Sequence, residues 1–207
     1  MNRIYLDHAA TTAMDPAVIK AVEPYFFEKF GNASSPHTFG QEARKALEDA
    51  RQAIALIIGA TPQEIIFTSG ATEANNQAVF GVAQRMKDRG NHLIVSAIEH
   101  HSVLKPAGWL ARQGFKVTYV QPDPEGRIDP QEIRAAITDK TILIAVMHAS
   151  NEIGTIQPVA AIGRIARERK IPFLIDAVQT VGHIPVNVND LQADFLTMSA
   201  HKFYGPK

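Results

Sequence analysis

The chain has 207 residues, 45% of them hydrophobic and 20% charged, a composition typical of one large globular domain or slightly more. It has 21 basic residues (Lys and Arg) and 21 acidic ones, and this zero net charge argues against a nucleic-acid binder that works through bulk positive charge. It has no cysteine, which excludes disulfide bonds, cysteine-ligated metal or iron–sulfur sites and a cysteine nucleophile supplied by this chain.

Helical and strand patterns alternate along the chain. Asp15-Pro16 marks a helix start, with aspartate as the N-cap. Thr38 and Gln41 fit a capping box that opens a second helix, which continues to Gly59. The run at 64–68 (EIIFT) is too short for a helix and predicts a strand. Further helices are predicted at 72–88, 102–112, 130–137 and 158–169, and further strands at 92–96, 116–120, 141–147, 172–175 and 194–198.

This alternation predicts an α/β fold. Strands that are almost continuous runs of Ile, Val and Leu indicate a mostly parallel sheet covered on both faces, which is a three-layer sandwich. Ligands of such sheets bind outside the carboxyl ends of the strands. The residues that directly follow each strand are therefore the first candidates for function.

The first predicted strand leads through Ser69-Gly70 into a helix that begins near Ala71 and Thr72. Small residues at a helix N-terminus let backbone N–H groups approach an anion, so this turn is a candidate phosphate cup. The spacing is neither that of a P-loop nor GxGxxG. The alternative is a plain turn at Gly70 with Thr72 as an ordinary N-cap.

Glu99-His100-His101 follows the next strand. Adjacent histidines on a strand would point to opposite faces, so they should not chelate one metal ion, and HExxH is absent. We therefore predict no metal site. A surface or N-cap role for either histidine is as well supported by the local sequence as a chemical one.

Polar residues also follow the last three strands. Asn151 lies in a loop that could be only a hydrogen-bonded turn. Asp176, three residues before Gln179, ends an apolar strand, where a carboxylate needs a positive partner such as a basic side chain or a cationic ring nitrogen. Lys202 would become a nucleophile if buried, although a surface lysine is the simpler reading. Ser199 and Lys202 match S-x-x-K, but without the companion motifs of that hydrolase class.

These strand ends together offer what one ligand requires. Pyridoxal 5′-phosphate (PLP) needs an amine for its covalent attachment, an acid beside its pyridinium nitrogen and a cradle for its phosphate. Lys202, Asp176 and the turn at Gly70 supply these three groups in one chain. The coincidence predicts PLP as the cofactor.

The motifs resemble those of fold-type I PLP enzymes in the class V aminotransferase group, and within it the NifS/IscS type of cysteine desulfurase. The stretches that carry the resemblance span the chain in family order. They are residues 5–12 (YLDHAATT), 67–76 (FTSGATEANN), 99–100 (EH), 151–154 (NEIG), 176–179 (DAVQ) and 199–207 (SAHKFYGPK).

The resemblance implies a role for each matching residue. Lys202 would attach the cofactor and later move the substrate's α proton, and Asp176 would pair with the pyridinium nitrogen. His100 would stack on the ring and take part in acid–base steps. Asn151 would face the cofactor oxygen and the substrate. Gln179 would contact the ring hydroxyl, and the phosphate would be held by Ala71, Thr72, Ser199 and His201.

The resemblance also implies a reaction and its partners. L-Cysteine would be converted to L-alanine, with the sulfur passed on as a protein persulfide for iron–sulfur cluster or thio-cofactor synthesis. The resemblance also implies a homodimer that works with a sulfur-acceptor or scaffold protein. Residues 1–12 contain no apolar signal-peptide region and no apolar run reaches the length of a membrane span, so we expect a cytoplasmic protein that binds no membrane, and the zero net charge predicts no nucleic-acid binding. Residues 1–14 would form an N-terminal arm belonging to the small domain, and 15–207 the large PLP-binding domain.

The resemblance covers only the N-terminal half of the family pattern, so the large domain would be incomplete after the lysine that attaches the cofactor. The persulfide cysteine would lie in the other half, and this chain alone is therefore predicted to be inactive. Two alternatives stay open. One is another class V PLP enzyme, such as a selenocysteine lyase or an aminotransferase. The other is a non-catalytic fragment that acts by assembling with its other half or a second copy.

Overall fold

The structure is a computed structural model and describes residues 3–207. The chain divides into two compact units, one formed by residues 3–67 with 200–207 and the other by Thr68–Ser199. The predicted arm at 1–14 is described from residue 3 onward, and its first two positions lie outside the described residues. The proposed boundary after residue 14 stays a prediction.

The first unit contains two α-helices, α1 (Pro16–Val22) and α2 (Thr38–Ile58). The Asp15 carboxylate caps α1 by accepting the Ala17 N–H at 2.7 Å, as the sequence predicts. The predicted capping box of α2 is wrong. His37 is the N-cap, because its backbone is extended and its Nδ1 accepts the Gly40 N–H at 3.4 Å, so Thr38 is already helical.

The predicted strand at 64–68 is also wrong. A 3₁₀ turn, Pro62–Glu64, occupies its start, and the Glu64 carboxylate accepts both the Thr61 N–H at 2.7 Å and the Thr61 hydroxyl at 2.8 Å. Within residues 3–207 no strand pairs with 65–68, and Ile66 is 75% exposed. β-forming side chains do not make a strand without a neighbour that completes its backbone hydrogen bonds.

The second unit contains a five-stranded sheet in the order β2-β1-β3-β4-β5, with every pairing parallel. The first three strands have the predicted bounds, and the last two differ by one residue at each end. The strands are β1 (His92–Ser96), β2 (Lys116–Val120), β3 (Thr141–Met147), β4 (Phe173–Asp176) and β5 (Phe195–Thr197).

Five helices accompany this sheet. They are α3 (Ala71–Met86), α4 (His101–Arg112), α5 (Pro130–Ala136), α6 (Val159–Arg169) and α7 (Val188–Leu191). The β1–β2 connection runs one way across the sheet and the later connections run the other way, so right-handed crossovers place α4 on one face and α5, α6 and α7 on the opposite face. Helix α3 packs against α4. The second unit is therefore a three-layer α/β sandwich, which confirms the predicted fold class.

The core explains why the strands are apolar on both sides. Leu93, Val95, Leu143, Ala145 and Leu174 pack against the buried faces of α3 and α4. The alternating residues between them, among them Ile94, Ile144 and Ile175, are equally buried and point to the other face. Because the chain reverses direction across the sheet between β1 and β3, a crevice is expected at the carboxyl ends of these two strands.

Two glycine substitutions test this packing. At Gly163 in α6 an added Cβ would lie 2.1 Å from the backbone oxygen of Leu191 in α7, whereas at the exposed Gly81 in α3 it would meet nothing within 4 Å. We expect Gly163→Ala to lower the free energy of unfolding by about 1–3 kcal/mol, through overpacking. Gly81→Ala, the control, should raise it by up to about 1 kcal/mol through helix propensity. Urea unfolding measures both, and equal effects of the two variants would contradict the packing of α6 against α7.

Candidate functional site

Asp176 is the last residue of β4 and is only 5% exposed. In the register of the sheet it lies between Met147 at the end of β3 and Thr197 at the end of β5. Its Oδ2 accepts the Asn75 Nδ2–H at 2.8 Å, and its Oδ1 accepts the Val178 N–H at 3.1 Å. The predicted carboxylate is thus buried at a strand end, with N–H donors on both oxygens.

Asn75 connects this carboxylate to the rest of the site. Its side chain lies in α3, is 0% exposed, and contacts three other side chains. Besides Asp176, Nδ2 donates to Ser102 Oγ in α4 at 2.9 Å, while Oδ1 accepts the Thr197 hydroxyl of β5 at 2.8 Å. No role for Asn75 was predicted from the sequence. A signal was present, because Asn75 shares the apolar helix face of Val79 and Val82, where an amide needs buried partners.

His100 is the N-cap of α4, which confirms the N-cap reading and places both histidines outside β1. Its Nδ1 accepts the Ser102 N–H at 3.1 Å and lies 2.8 Å from Ser102 Oγ. The ring is exposed and borders a groove of about 730 Å³ on the surface of α3 and α4. Other groove residues include Thr72, Asn76, Phe80, His101, Lys105, Trp109 and Arg112.

Glu99 is a second buried carboxyl that the sequence analysis did not single out. It is 5% exposed, its Oε1 accepts the Met147 N–H at 2.5 Å, and its Oε2 has no hydrogen-bond partner among the described residues. Burial and then the negative charge of Asp176 raise the pKa of Glu99 to about 8, against the opposing effect of the Met147 N–H and the Ser96 hydroxyl. Glu99 is therefore protonated at neutral pH, at the predicted crevice between β1 and β3.

The candidate phosphate cup is the start of α3. Gly70 is its N-cap, with φ +151°, a conformation that only glycine adopts readily, and no side chain caps the helix. The reading of Thr72 as the N-cap is therefore wrong, and the first-turn N–H groups of Ala71 and Thr72 lack a capping side chain. Glu73 Oε2 accepts the Ser69 N–H at 2.6 Å and hydroxyl at 2.7 Å, which anchors the preceding turn and lowers the pKa of Glu73.

The loops after β3 and β4 hold two further predicted residues. The Asn151 amide donates to Glu152 Oε1 at 2.7 Å, and Gln179 is half-buried in the turn after β4. His148 joins the two loops, because its Nδ1 lies 3.0 Å from the Thr180 hydroxyl. Burial lowers the pKa of His148. That hydroxyl also donates to the Ala177 carbonyl at 3.1 Å, so His148 Nδ1 carries the proton of their bond.

Lys202 and His201 belong to the first unit, whereas Ala71, Thr72, His100, Asn151, Asp176, Gln179 and the buried Ser199 belong to the second. Lys202 ends a 3₁₀ turn, Ala200–Lys202, and its Nζ donates to the Ala9 carbonyl. His201 Nδ1 lies 3.0 Å from Thr11 Oγ1. Burial, and then the charges of Lys202 and Lys207, lower the pKa of His201.

Thr12 fixes the backbone beside these two residues. It is buried, and both its N–H and its hydroxyl donate to the His201 carbonyl at 2.9 Å. Its oxygen also accepts the Tyr204 N–H at 2.8 Å. The motif stretch at 5–12 and residues 200–207 of the last motif stretch, far apart in sequence, are therefore hydrogen-bonded within one unit.

Within residues 3–207, no group of three His, Asp or Glu side chains is arranged to hold a metal ion. None of the helices in the same part of the chain has the length and apolar character needed to cross a membrane.

Comparison with known proteins gives consistent matches along the chain. A family model described as "Aminotransferase class-V" matches residues 4–207. "Cysteine desulfurase IscS" of Dictyoglomus turgidum is 54% identical over 206 residues, which are 100% of this chain and 52% of that protein. The protein of the same name from Neisseria meningitidis is 53% identical and covers 99% of this chain and 51% of its own length. The chain thus spans about half the length of the curated relatives it matches.

Solved structures agree in fold. "SspA in complex with cysteine" has a TM-score of 0.96 and 41% identity, over 99% of this chain and 59% of that one. A "NifS-like protein" has a TM-score of 0.97 and 40% identity, over 100% of this chain and 57% of that one.

The raised pKa of Glu99 predicts a pH effect on stability. A carboxyl whose pKa is about 8 when folded and near 4.5 when unfolded costs stability as the pH rises through that interval, because the unfolded chain ionises while the folded state still holds the proton. Glu99→Gln removes this cost. We expect its free energy of unfolding to exceed that of the wild type by a growing amount between pH 4.5 and pH 8, reaching a few kcal/mol.

Thermal unfolding at a series of pH values measures this difference. The exposed Glu152→Gln is the control and should show no such trend. A constant difference between Glu99→Gln and wild type across the series would contradict a proton held on Glu99.

Proposed function

Because the chain belongs to the class-V aminotransferase family, whose enzymes depend on PLP, we propose that it forms the PLP-binding part of a cysteine desulfurase. The observation that carries the proposal is the Asp176 carboxylate, buried at the end of β4 and oriented by N–H donors on both oxygens. A fixed negative charge in a region of low dielectric is suited to a cationic ring nitrogen.

The residues of the chain fit such a group. Asp176 would accept a hydrogen bond from the protonated pyridine nitrogen. The N–H groups of Ala71 and Thr72, which lack a capping side chain, suit a phosphate. The side chains of Ser199 and His201 would add to the phosphate site. The Lys202 amine would attach the cofactor. When bound, PLP supplies an electron sink for the electron pair left at the substrate's α carbon when that carbon loses a proton.

The chain's own residues would then act in defined ways. Asp176, held by Asn75 and Val178, keeps the proton on the ring nitrogen. The Lys202 amine moves the α proton. His100 contributes its flat ring and its Nε2, because its Nδ1 is occupied by Ser102. We propose that Gln179 contacts the ring hydroxyl and that Asn151 contacts the cofactor oxygen and the substrate.

The proposed substrate is L-cysteine, and the proposed products are L-alanine and a persulfide. Relatives named cysteine desulfurase and a structural neighbour titled as a complex with cysteine support this choice. The chain has no cysteine to carry the persulfide, so the thiol that accepts the sulfur of L-cysteine must belong to a cysteine outside these residues. We therefore propose that the chain works with a further segment or partner chain in a cytoplasmic homodimer, and passes sulfur to an acceptor or scaffold protein for iron–sulfur or thio-cofactor synthesis.

Attachment of the cofactor can be tested by borohydride reduction. If PLP is linked to Lys202, reduction should fix it there covalently, and peptide mass mapping should find the label on that residue. Lys202→Ala should abolish the labelling, and the control Lys207→Ala should retain it. Label on any other lysine would overturn the assignment.

Activity can be tested with L-cysteine and a thiol, by measuring alanine and sulfide. The chain alone should give neither product, and addition of the segment that bears the persulfide cysteine should give both. Asp176→Asn keeps the shape but removes the charge, and should lower the rate by about 100-fold or more. Alanine from the chain alone would contradict the need for a second segment. Faster turnover of selenocysteine, or transamination without sulfide, would favour another class V enzyme.

A further inference from the structure

We propose that Asn75 and Ser102 are positioning residues that fix the His100 ring in its Nε2–H tautomer and tie that ring to the Asp176 carboxylate. The inference rests on the proposed function only for the catalytic use of His100. The hydrogen-bond arrangement itself is independent of any substrate.

The orientation of the Asn75 amide follows from its neighbours. An ionised carboxylate only accepts hydrogen bonds, so the atom facing Asp176 Oδ2 at 2.8 Å must be the amide nitrogen. The Thr197 hydroxyl donates to Oδ1 at 2.8 Å, which agrees with this orientation. The second N–H of the same nitrogen is therefore directed to Ser102 Oγ, at 2.9 Å.

The Ser102 hydroxyl is oriented in turn. Its oxygen accepts from Asn75, so its own proton is left for His100 Nδ1 at 2.8 Å. The backbone N–H of Ser102 donates to the same nitrogen at 3.1 Å. With two donors directed at it, Nδ1 serves as an acceptor, and the proton of the neutral ring is on Nε2.

This arrangement positions groups but does not conduct protons. The Asn75 nitrogen donates to both Asp176 and Ser102, and an amide N–H does not pass its proton on, so no proton travels from His100 to Asp176. A proton on Nδ1 would break the bond from the Ser102 backbone N–H and would turn the Ser102 hydroxyl from a donor into an acceptor. The neutral ring therefore carries a hydrogen-bond donor at Nε2 rather than a free base.

A second contact holds Ser102 against α3. The Asn76 amide donates to the Ser102 carbonyl at 3.2 Å and to the Thr72 carbonyl at 2.8 Å. Ser102 is thus held through its hydroxyl by Asn75 and through its backbone by Asn76. Since Asn75 and Ser102 are both buried, water does not compete for these bonds, and the His100 ring is oriented before any ligand arrives.

The tautomer can be read directly by ¹⁵N NMR of the full-length expressed protein, labelled with ¹⁵N at its histidines. Spectra are recorded with and without PLP at about pH 8.5, well above the ordinary histidine pKa. His100→Gln identifies the His100 signals. The wild type should show one Nε2–H tautomer for His100, in both samples. Ser102→Ala and Asn75→Ala should give averaged shifts that indicate a mixture of tautomers, and Ser102→Thr, which keeps the hydroxyl, should restore the wild-type pattern.

The control is Asn91→Ala, which removes a half-buried amide that lies outside this network and donates to the Gly114 carbonyl. It should leave the His100 shifts unchanged. An Nδ1–H tautomer in the wild type, or His100 shifts that are the same in Ser102→Ala and wild type, would overturn the proposal. If Ser102→Ala does not fold, the wild-type tautomer and Ser102→Thr still decide. Loss of the desulfurase assignment with the tautomer result intact would refute the proposed function and leave the positioning role standing.

Discussion

The interaction on which the rest of the second unit depends is the pair of N–H donors that hold the Asp176 carboxylate at the end of β4. A carboxylate in this position is costly to bury, and the bonds that offset the cost come from Asn75 in α3 and from the turn after β4. Asn75 is in turn bonded to Ser102 and Thr197. One charge therefore fixes how α3, α4 and β5 meet at this edge of the sheet.

The same charge affects Glu99. Asp176 ends β4 and Glu99 follows β1, and these two strands lie on either side of β3. Glu99 accepts a hydrogen bond from the backbone N–H of Met147 in β3. Burial disfavours the charged form of Glu99, and the negative charge of Asp176 disfavours it further, so Glu99 keeps its proton. The division of roles is set by surroundings: N–H donors reach both oxygens of Asp176, and only one oxygen of Glu99 has a hydrogen-bond partner among the described residues.

Much of this arrangement could be predicted from the sequence, for physical reasons that differ by element. Strands β1, β2 and β3 were predicted at their observed bounds because hydrophobic runs end abruptly at polar residues or glycine. The rule that ligands lie beyond the carboxyl ends of parallel strands selected Asp176 and His100. The strand at 64–68 failed because composition does not reveal whether a pairing neighbour exists. Asn75 and Glu99 were missed because their roles depend on partners 101 and 48 residues away in sequence.

The bonds between Thr12 and the segment at His201 have a consequence for the order of folding during synthesis. The two residues are 189 positions apart, so the first unit is completed only when the ribosome has released residues beyond 204. The five described strands of the second unit all lie before residue 198, so their pairings with one another involve only earlier parts of the chain. Closing so long a loop is favourable only once most of its entropy has already been lost through folding of the intervening residues. The lysine proposed to carry the cofactor would thus be among the last described residues to become ordered, after the carboxylate at the end of β4 is in place.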